Sequence, residues 1–345
     1  MTDQKEDIKP DTGAEDRGEN VSLMEPLKIG DAAKNKFELL DLVVDLSGKS
    51  NGFRRSLPDG IATSLADLVR SMNCYYSNLI EGHDTHPVDI ERALKGDYSK
   101  DPEKRNLQLE AEAHISVQSW IDDGHLDGRA TTRDGIIDLH RLFCGKLPHE
   151  LLRVSDPETG KTEIVEPGAF RKGYVQVGRH IPVSPGAIDR FLQRFESAHA
   201  GLGKTDAIIS SATAHHRLLW IHPFADGNGR VTRLMSYAIL REALDTGGLW
   251  SIARGLARNE KSYKSLIGNC DLPRHNDLDG RGNLSEEALA AFAAFFLKTC
   301  IDQVNFMEKL VQPERLRDRI MIWAKEEILA DCLTSAPMGQ ISGIV

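Results

Sequence analysis

The chain has 345 residues, 40% of them apolar and 28% charged, and its 52 acidic against 43 basic side chains give a formal net charge of -9. That length suits about two domains and a sizeable core. The acidic balance argues against a protein that coats nucleic acid or anionic lipid. No stretch reaches the roughly 18 uninterrupted apolar residues of a membrane span. The N-terminal sequence lacks the apolar segment of a secretory signal. Five cysteines (Cys74, Cys144, Cys270, Cys300 and Cys332) lie far apart with no CxxC pair. They point to a reducing compartment, with the cytoplasm as the expected address, and away from disulfides or thiolate zinc.

In chain order, residues 1–30 are polar, charged and rich in Gly and Pro, which predicts a mobile tail. The segment KFELLDLVVDLSG (36–48) predicts a short helix. TSLADLVRSMNCYYSNLIE (63–81) predicts a well-formed one, with apolar residues at helical spacing and Gly82 as its stop. Two further helices are expected at 103–123 and 133–144. Turn chemistry at Pro167-Gly168 then leads into Tyr174-Val175-Gln176-Val177-Gly178 and His180-Ile181-Pro182-Val183, read as a strand pair. Helices follow at 186–199, 205–220, 230–244, 251–266, 284–312 and 314–331, so the chain is mainly α with one small hairpin. The 32 residues after Pro313 are too few for a winged-helix module, and TSAPMGQISGIV reads as a loose end.

Chemistry concentrates in His222-Pro223-Phe224-Ala225-Asp226-Gly227-Asn228-Gly229-Arg230, with Arg233 one turn later. Gly227 and Gly229 permit positive φ and close approach of a ligand. They precede a helix expected to start near Arg230, whose free N–H groups and dipole make an anion site. Arg230 and Arg233 project from one side of that first turn, where the dipole disfavours cations; polyphosphate would supply the missing negative charge. Asp226 is a hard oxygen ligand suited to Mg²⁺ beside phosphate. His222 titrates near neutrality and can act as general base on a hydroxyl. The tetrapeptide DGNG alone reads as a turn beside a packed histidine; the whole string points to nucleotidyl or phosphoryl transfer.

The string HPFADGNGR followed by xxR resembles the signature of the Fic family, protein AMP-transferases with an all-helical core. PGAFRKGYVQVGRHIPVSP resembles the family's flap (167–183), and the likeness spans roughly residues 63–300. It divides the chain into a tail (1–30), an N-terminal helical region (31–130), a Fic core (131–300) and a C-terminal helical extension (301–345). The resemblance implies that His222 deprotonates a Tyr, Thr or Ser hydroxyl of a target protein, which attacks the α-phosphate of ATP. Asp226 would hold Mg²⁺, and Gly227, Asn228, Gly229, Arg230, Val231, Thr232 and Arg233 would bind nucleotide, with Arg230 neutralising the departing pyrophosphate. Phe224 would anchor the loop in the core. Val175, Gln176, Val177 and Gly178 would line the nucleotide from the flap, and Tyr263 would lie against the adenine. Many relatives have two tyrosines there; this chain has Ser262-Tyr263, and Asn269 falls one position early.

Glu81 lies in the last turn of its helix, where the dipole costs a carboxylate about 0.3–1 kcal/mol. The segment Ser77-Asn78-Leu79-Ile80-Glu81-Gly82 resembles the family's inhibitory motif. That implies a glutamate paired with Arg233 and steadied by Ser77, in the subgroup inhibited from within the chain. Removal of AMP, transfer of UMP, phosphocholine or phosphate, and nucleotide sensing without turnover stay open at this point. The expected partner is a target protein, which can be this protein itself, and a homodimer stays open; neither membrane nor nucleic acid is expected. Gly201-Leu202-Gly203-Lys204-Thr205 lacks the first P-loop glycine and the preceding strand, and reads as a helix link with Thr205 or Asp206 as N-cap. His215 and His216 face different sides of one helix, without zinc spacing.

Overall fold

A computed structural model describes residues 14–155 and 162–312, with residues 321, 322 and 325 beyond them. The eleven α-helices of the described residues are α1 (Lys36–Arg55), α2 (Asp59–Ile80), α3 (Pro87–Leu94), α4 (Pro102–Asp122), α5 (Arg133–Cys144), α6 (Ile188–His199), α7 (Lys204–Ile221), α8 (Asn228–Leu244), α9 (Ala253–Arg258), α10 (Glu260–Cys270) and α11 (Glu286–Leu310). One antiparallel pair, β1 (Arg153–Ser155) and β2 (Thr162–Ile164), lies between α5 and α6, with Val154 opposite Glu163.

Two large hydrophobic clusters divide the interior, with a third, small one of Cys74, Ile90 and Ala111 between α2, α3 and α4. Phe143, Phe191, Phe195, Leu218, Phe224, Val231 and Leu234 centre the first. Leu39, Phe53, Val69, Ile208, Trp250, Phe292 and Phe296 centre the second. Helices α7 and α8 pack extensively on each other and contribute to both clusters, Ile208 and Leu240 to one and Leu218 and Leu234 to the other. Both helices are buried on nearly every face, and their buried surface mixes apolar side chains with polar ones such as His215, His216, Arg230 and Arg233. Each buried leucine or phenylalanine contributes about 1.5–3 kcal/mol, so the loop joining α7 to α8 is anchored at both ends by the best-packed parts of the molecule. Helix α11 is long and apolar enough to cross a membrane by length and composition; here it lies along α1, α7, α9 and α10.

Two short elements position the site. Helix α2 begins after Pro58 and ends where Gly82 takes φ +85°, with Gly82 N–H donating to Leu79 O and His83 N–H to Asn78 O. A positive φ at the stop is why glycine stands there. The buried stripe of α2 is apolar at Leu65 and Val69 and becomes polar at Asn73, Ser77 and Asn78. In α5, Thr132 caps the N-terminus by accepting from Gly135 N–H at 3.0 Å. Ile136, Leu139 and Phe143 recur at helical spacing, and His140 is carried inward beside them.

Several expectations are corrected. Residues 14–30 are packed. Glu19 accepts from Ser184 N–H and Oγ, Asp16 pairs with Arg190, and Met24 is fully buried, because acidic side chains of the strap meet basic ones on the body. Residues 1–13 lie outside the described residues, as do nearly all of the predicted helix 314–331, the end TSAPMGQISGIV and Cys332. The flap forms no strand pair. Val177 and His180 exchange hydrogen bonds of 2.9 and 3.0 Å around Gly178, at φ +61°. Elsewhere in the segment side chains take the place of a ladder: the Arg171 guanidinium donates to Gly173 O and Val183 O within the flap and to His222 O outside it, and the His180 ring bonds to Trp220 O. The single helix expected at 251–266 is broken at Asn259 (φ -115°, ψ 32°) into α9 and α10. Helix α3, opened by His86 and Pro87, was not anticipated. Gly203, with neither Thr205 nor Asp206, occupies the cap position of α7.

Candidate active site

The site lies where the α7–α8 loop meets the end of α2, the middle of α4 and the flap. His222 closes α7 in a left-handed conformation (φ 50°, ψ 63°), its N–H donating to Leu218 O at 3.0 Å. A non-glycine residue there is uncommon and is held by surrounding contacts. Arg171 supplies them: its Nε donates to His222 O at 2.8 Å and its backbone N–H to Pro223 O at 3.0 Å. Arg171 is itself buried, and its guanidinium also donates to Gly173 O and Val183 O. One side chain therefore ties the loop backbone to both ends of the flap. Burial pulls the Arg171 pKa down to about 10. Burial, and next Arg171, take the His222 imidazole down to about 4. At neutral pH it is an uncharged proton acceptor.

His140 organises the other face of the loop. Its ring stacks on Phe224 with centroids 3.8 Å apart. Gly168 N–H donates to Nδ1 at 2.8 Å, which leaves the proton on Nε2, directed at Asp226 O 3.2 Å away. Burial lowers the His140 pKa to about 4, so the ring is neutral in this role. The Asn228 carboxamide closes the loop on itself, accepting from Phe224 N–H at 3.0 Å and donating to Phe224 O at 2.8 Å. Gly227 (φ +78°) turns the chain into α8, which starts at Asn228 rather than near Arg230.

The first turn of α8 is strongly charged. Arg230 is buried and donates to Asp226 Oδ2 at 2.9 Å and to Glu110 Oε1, while its guanidinium lies 5.1 Å from the Phe143 ring centroid. Glu110 is fully buried on α4, and its other oxygen accepts from His83 Nδ1 at 2.7 Å. Arg233 donates Nε to Ser77 Oγ at 2.9 Å, and Nη2 to Ser77 O at 3.1 Å and Glu81 Oε1 at 2.5 Å. Glu81 Oε1 also lies so close over Gly229 that a Cβ there would overlap it. Burial works against ionisation of Glu81; Arg233 and Arg230 outweigh it and hold the carboxyl below its ordinary value. A carboxylate thus sits at the positive end of α8, where an anion is favoured.

Of the anticipated residues, the structure brings Ser77, Glu81, Gly82, Asp226, Gly227, Gly229, Arg230 and Arg233 together on this face, with His222 at the other end of the same loop. Ser77 holds Arg233 and makes no bond to Glu81. The Asn228 side chain is engaged with the loop, so its carboxamide is not directed at a ligand. Val231 and Thr232 have fully buried side chains and can offer only backbone groups. Tyr263 is 4% exposed, packed in the second cluster with its hydroxyl 2.7 Å from His215 Nε2, so it presents no ring face for adenine to stack on. The reason is the apolar surroundings of Phe292 and Phe296, which enclose both rings. Val175 to Gly178 lie at the flap tip, Val177 43% exposed, and Gln176 Nε2 donates to Gly178 O at 2.9 Å. His216 bonds Asp271 Oδ1 at 3.0 Å and serves structure.

Four residues of the site were not anticipated: Glu110, His83, His140 and Arg171. Glu110 has a sequence signal, since Glu110, His114 and Gln118 repeat at four-residue spacing on the same helix as buried Ala111, Val117 and Ile121. Among the described residues no three metal-ligating side chains converge. The Asp226 side chain is 44% exposed with one oxygen bonded to Arg230. A hard cation there would complete its shell with phosphate oxygens and water, the usual way Mg²⁺ sits beside nucleotides, so the donor chemistry fits.

Residues 130–240 match the model of the Fic/DOC family. Protein adenylyltransferase Fic of Drosophila erecta is 38% identical over 226 residues, 62% of this chain and 42% of that protein. The protein of that name from Drosophila virilis is 37% identical over 173 residues, 49% and 32% respectively. The chain therefore spans less than half the length of these relatives. A Fic family protein from Desulfovibrio desulfuricans G20 shares the fold, with a TM-score of 0.57 at 16% identity over 81% of this chain and 74% of that one. So does Fic-1 (aa134 - 508) from C. elegans, with a TM-score of 0.55 at 19% identity over 78% and 71%. The loop that carries His222, Asp226 and Arg233 lies inside the segment, residues 130–240, that matches the Fic/DOC family model.

Proposed function

We propose that this protein transfers AMP from ATP to a hydroxyl of a target protein and is restrained by Glu81. The observation that carries the reading is the Glu81 carboxylate, bonded to Arg233 and seated over Gly229 at the start of α8. An anion site stands beside a neutral imidazole, and the chain fills it with its own carboxylate.

In the proposed reaction the neutral His222 imidazole takes the proton of a Tyr, Thr or Ser hydroxyl. The hydroxyl oxygen bonds to the α-phosphorus of ATP as the bond to pyrophosphate breaks. General-base help of this kind contributes roughly 10²–10⁴ in rate. Backbone N–H groups of the first turn of α8 and the Arg230 guanidinium would stabilise charge developing on the leaving pyrophosphate. Asp226 would hold Mg²⁺ together with phosphate oxygens, and that ion would neutralise phosphate charge and orient the α-phosphate. The flap tip at Val175 to Gly178 would present the target by main-chain pairing. While Glu81 occupies Arg233, the terminal phosphate lacks its partner, and the triphosphate is not aligned for attack.

The relatives' printed name, protein adenylyltransferase, supports the choice of AMP as the transferred group. Removal of AMP from a modified protein is the second reading, favoured by the position of Glu81 at the phosphate site, where a carboxylate can also direct water. The four described cysteines are free and buried, which supports a cytoplasmic address. Incubation with ATP labelled in the α-phosphate and Mg²⁺, followed by intact-mass measurement, tests the reading. Glu81→Gly is expected to label itself or lysate proteins far more than wild type, with the mass of one AMP per site. Binding of ATP without turnover in Glu81→Gly would favour nucleotide sensing, and a different added mass would favour UMP, phosphocholine or phosphate.

A further inference from the structure

We propose that His83 and Glu110 form a positioning pair that ties the turn carrying Glu81 to the phosphate-binding Arg230, so that the strength of the restraint follows the charge on His83. The proposal rests on the transfer reading above and adds a control to it.

The geometry forms one continuous chain of contacts. Glu81 caps α2, Gly82 reverses the backbone, and His83 follows with its N–H bonded to Asn78 O at 3.0 Å. The His83 ring then reaches α4, donating Nδ1 to Glu110 Oε2 at 2.7 Å. The other oxygen of the same carboxylate accepts from Arg230 Nη1, and Arg230 in turn binds Asp226. Glu110 is fully buried, and its two oxygens are divided between His83, two residues after Glu81, and Arg230 of the α7–α8 segment. A buried carboxylate with two cationic partners is held firmly, and loss of either leaves the rest poorly compensated. The Glu81 turn thus has two attachments: Glu81 to Arg233, and His83 to Glu110.

The second attachment can titrate. The His83 side chain is 35% exposed, so protons exchange with solvent. The charged groups facing it are Glu110 from α4, Arg230 from α8 and Glu81 from its own turn. The hydrogen bond to Glu110 is the largest influence and raises the His83 pKa above 6.5, against burial and the repulsion of Arg230. A raised folded-state value means the protonated contact is complete at pH below 6.5 and weakens as pH climbs through the raised value. The restraint is therefore tightest in mild acid and slackens toward alkaline pH.

The test uses the full chain with His83 or His83→Gln, each combined with Glu81 or Glu81→Gly. The readout is the ratio of labelling rates, Glu81→Gly over Glu81, with α-labelled ATP and Mg²⁺. Taking this ratio removes effects common to both forms, including titration of His222. His83→Gln, a partly exposed substitution, is expected to lower the ratio about three- to tenfold, the worth of a charge-assisted hydrogen bond at a partly exposed site. In chains with His83 the ratio should fall as pH rises from 6 to 8.5; with His83→Gln it should be flat. A labelling Glu81→Gly whose ratio neither His83→Gln nor pH moves would overturn the pairing alone. A Glu81→Gly that labels nothing would overturn the transfer reading and this proposal with it. Imidazole NMR supplies an arm without activity: His83 must titrate above the ordinary histidine value in wild type, and a midpoint at or below it would overturn the pairing whatever the labelling shows.

Discussion

The two sides of the site are built on opposite electrostatic plans. On the phosphate side, Arg230 and Arg233 are buried among Glu110, Asp226 and Glu81, so every guanidinium already has an anionic partner inside the chain. On the base side, His222, His140 and Arg171 are placed by backbone groups: His222 O on Arg171, Asp226 O and Gly168 N–H on His140, and Gly173 O and Val183 O on Arg171. Carbonyls and amides position a group without changing its charge, and burial keeps both imidazoles neutral near pH 7. A site proposed to hold polyphosphate needs strong positive charge, and in the structure that charge is paired within the chain, because an unpaired buried charge is costly. The base side needs a free lone pair, which nearby acids would remove by favouring the imidazolium. On the proposed function the contrast makes Glu81 useful twice, as the partner of Arg233 seen here and as the group that an incoming nucleotide would displace.

The most severe way to break the base side is His222→Ala in a Glu81→Gly background. Labelling should fall by about 10²–10⁴, the usual contribution of a general base, in a radiolabel assay; retained labelling would remove His222 from the chemistry. On the phosphate side the largest structural effect is expected from Glu110→Ala, which strips Arg230 and His83 of a buried partner. Loss of about 3–5 kcal/mol in a denaturant titration is expected from one broken buried pair, and a change below about 1 kcal/mol would show that Asp226 alone compensates Arg230.

Acid should sharpen the comparison through stability. His114, His140, His199, His215, His216 and His222 all have lowered pKa values, each chiefly by burial. The folded chain then binds fewer protons than the unfolded one below the unfolded value of about 6.5, and each such histidine removes about 1.4 kcal/mol of stability per pH unit as pH falls toward its folded value. The melting temperature should drop steeply between about pH 6.5 and 4, and a flat profile would mean that the rings gain charged partners. The smallest effect is expected from Gly82→Ala. Its φ of +85° penalises any side chain by about 1–2 kcal/mol, and the strain falls on the turn carrying Glu81. Melting should shift by a few degrees and wild-type labelling should rise; a shift without labelling would separate the stop of α2 from the restraint.

Much of the helical order was legible. Helix α5 matches its predicted span 133–144 because Thr132 caps it and Ile136, Leu139 and Phe143 mark one face. Segments whose bonding depends on distant residues were misread. Residues 14–30 look like a polar tail until Arg190, Arg194 and Ser184 are placed opposite Asp16, Glu25 and Glu19. The flap reads as a strand pair from Tyr174-Val175-Gln176-Val177, yet the buried Arg171 side chain takes the carbonyls of Gly173 and Val183, and the His180 ring turns to Trp220 O. Tyr263 looks available for stacking until Phe292, Phe296 and His215 close around it.

The amino-acid order alone determined the His222–Arg233 string and the Ser77–Gly82 turn, because glycines, helix termini and charges spaced by one turn act over a few residues. The tertiary fold decided which charges meet. Residues 81 and 233, 83 and 110, and 171 and 222 are far apart along the chain or on separate elements, and become neighbours only when α2, α4, α8 and the flap close on the α7–α8 pair. Burial then set the protonation states, since the same imidazole is a neutral acceptor at residue 222 and a favoured cation at residue 83 according to what the fold places beside it.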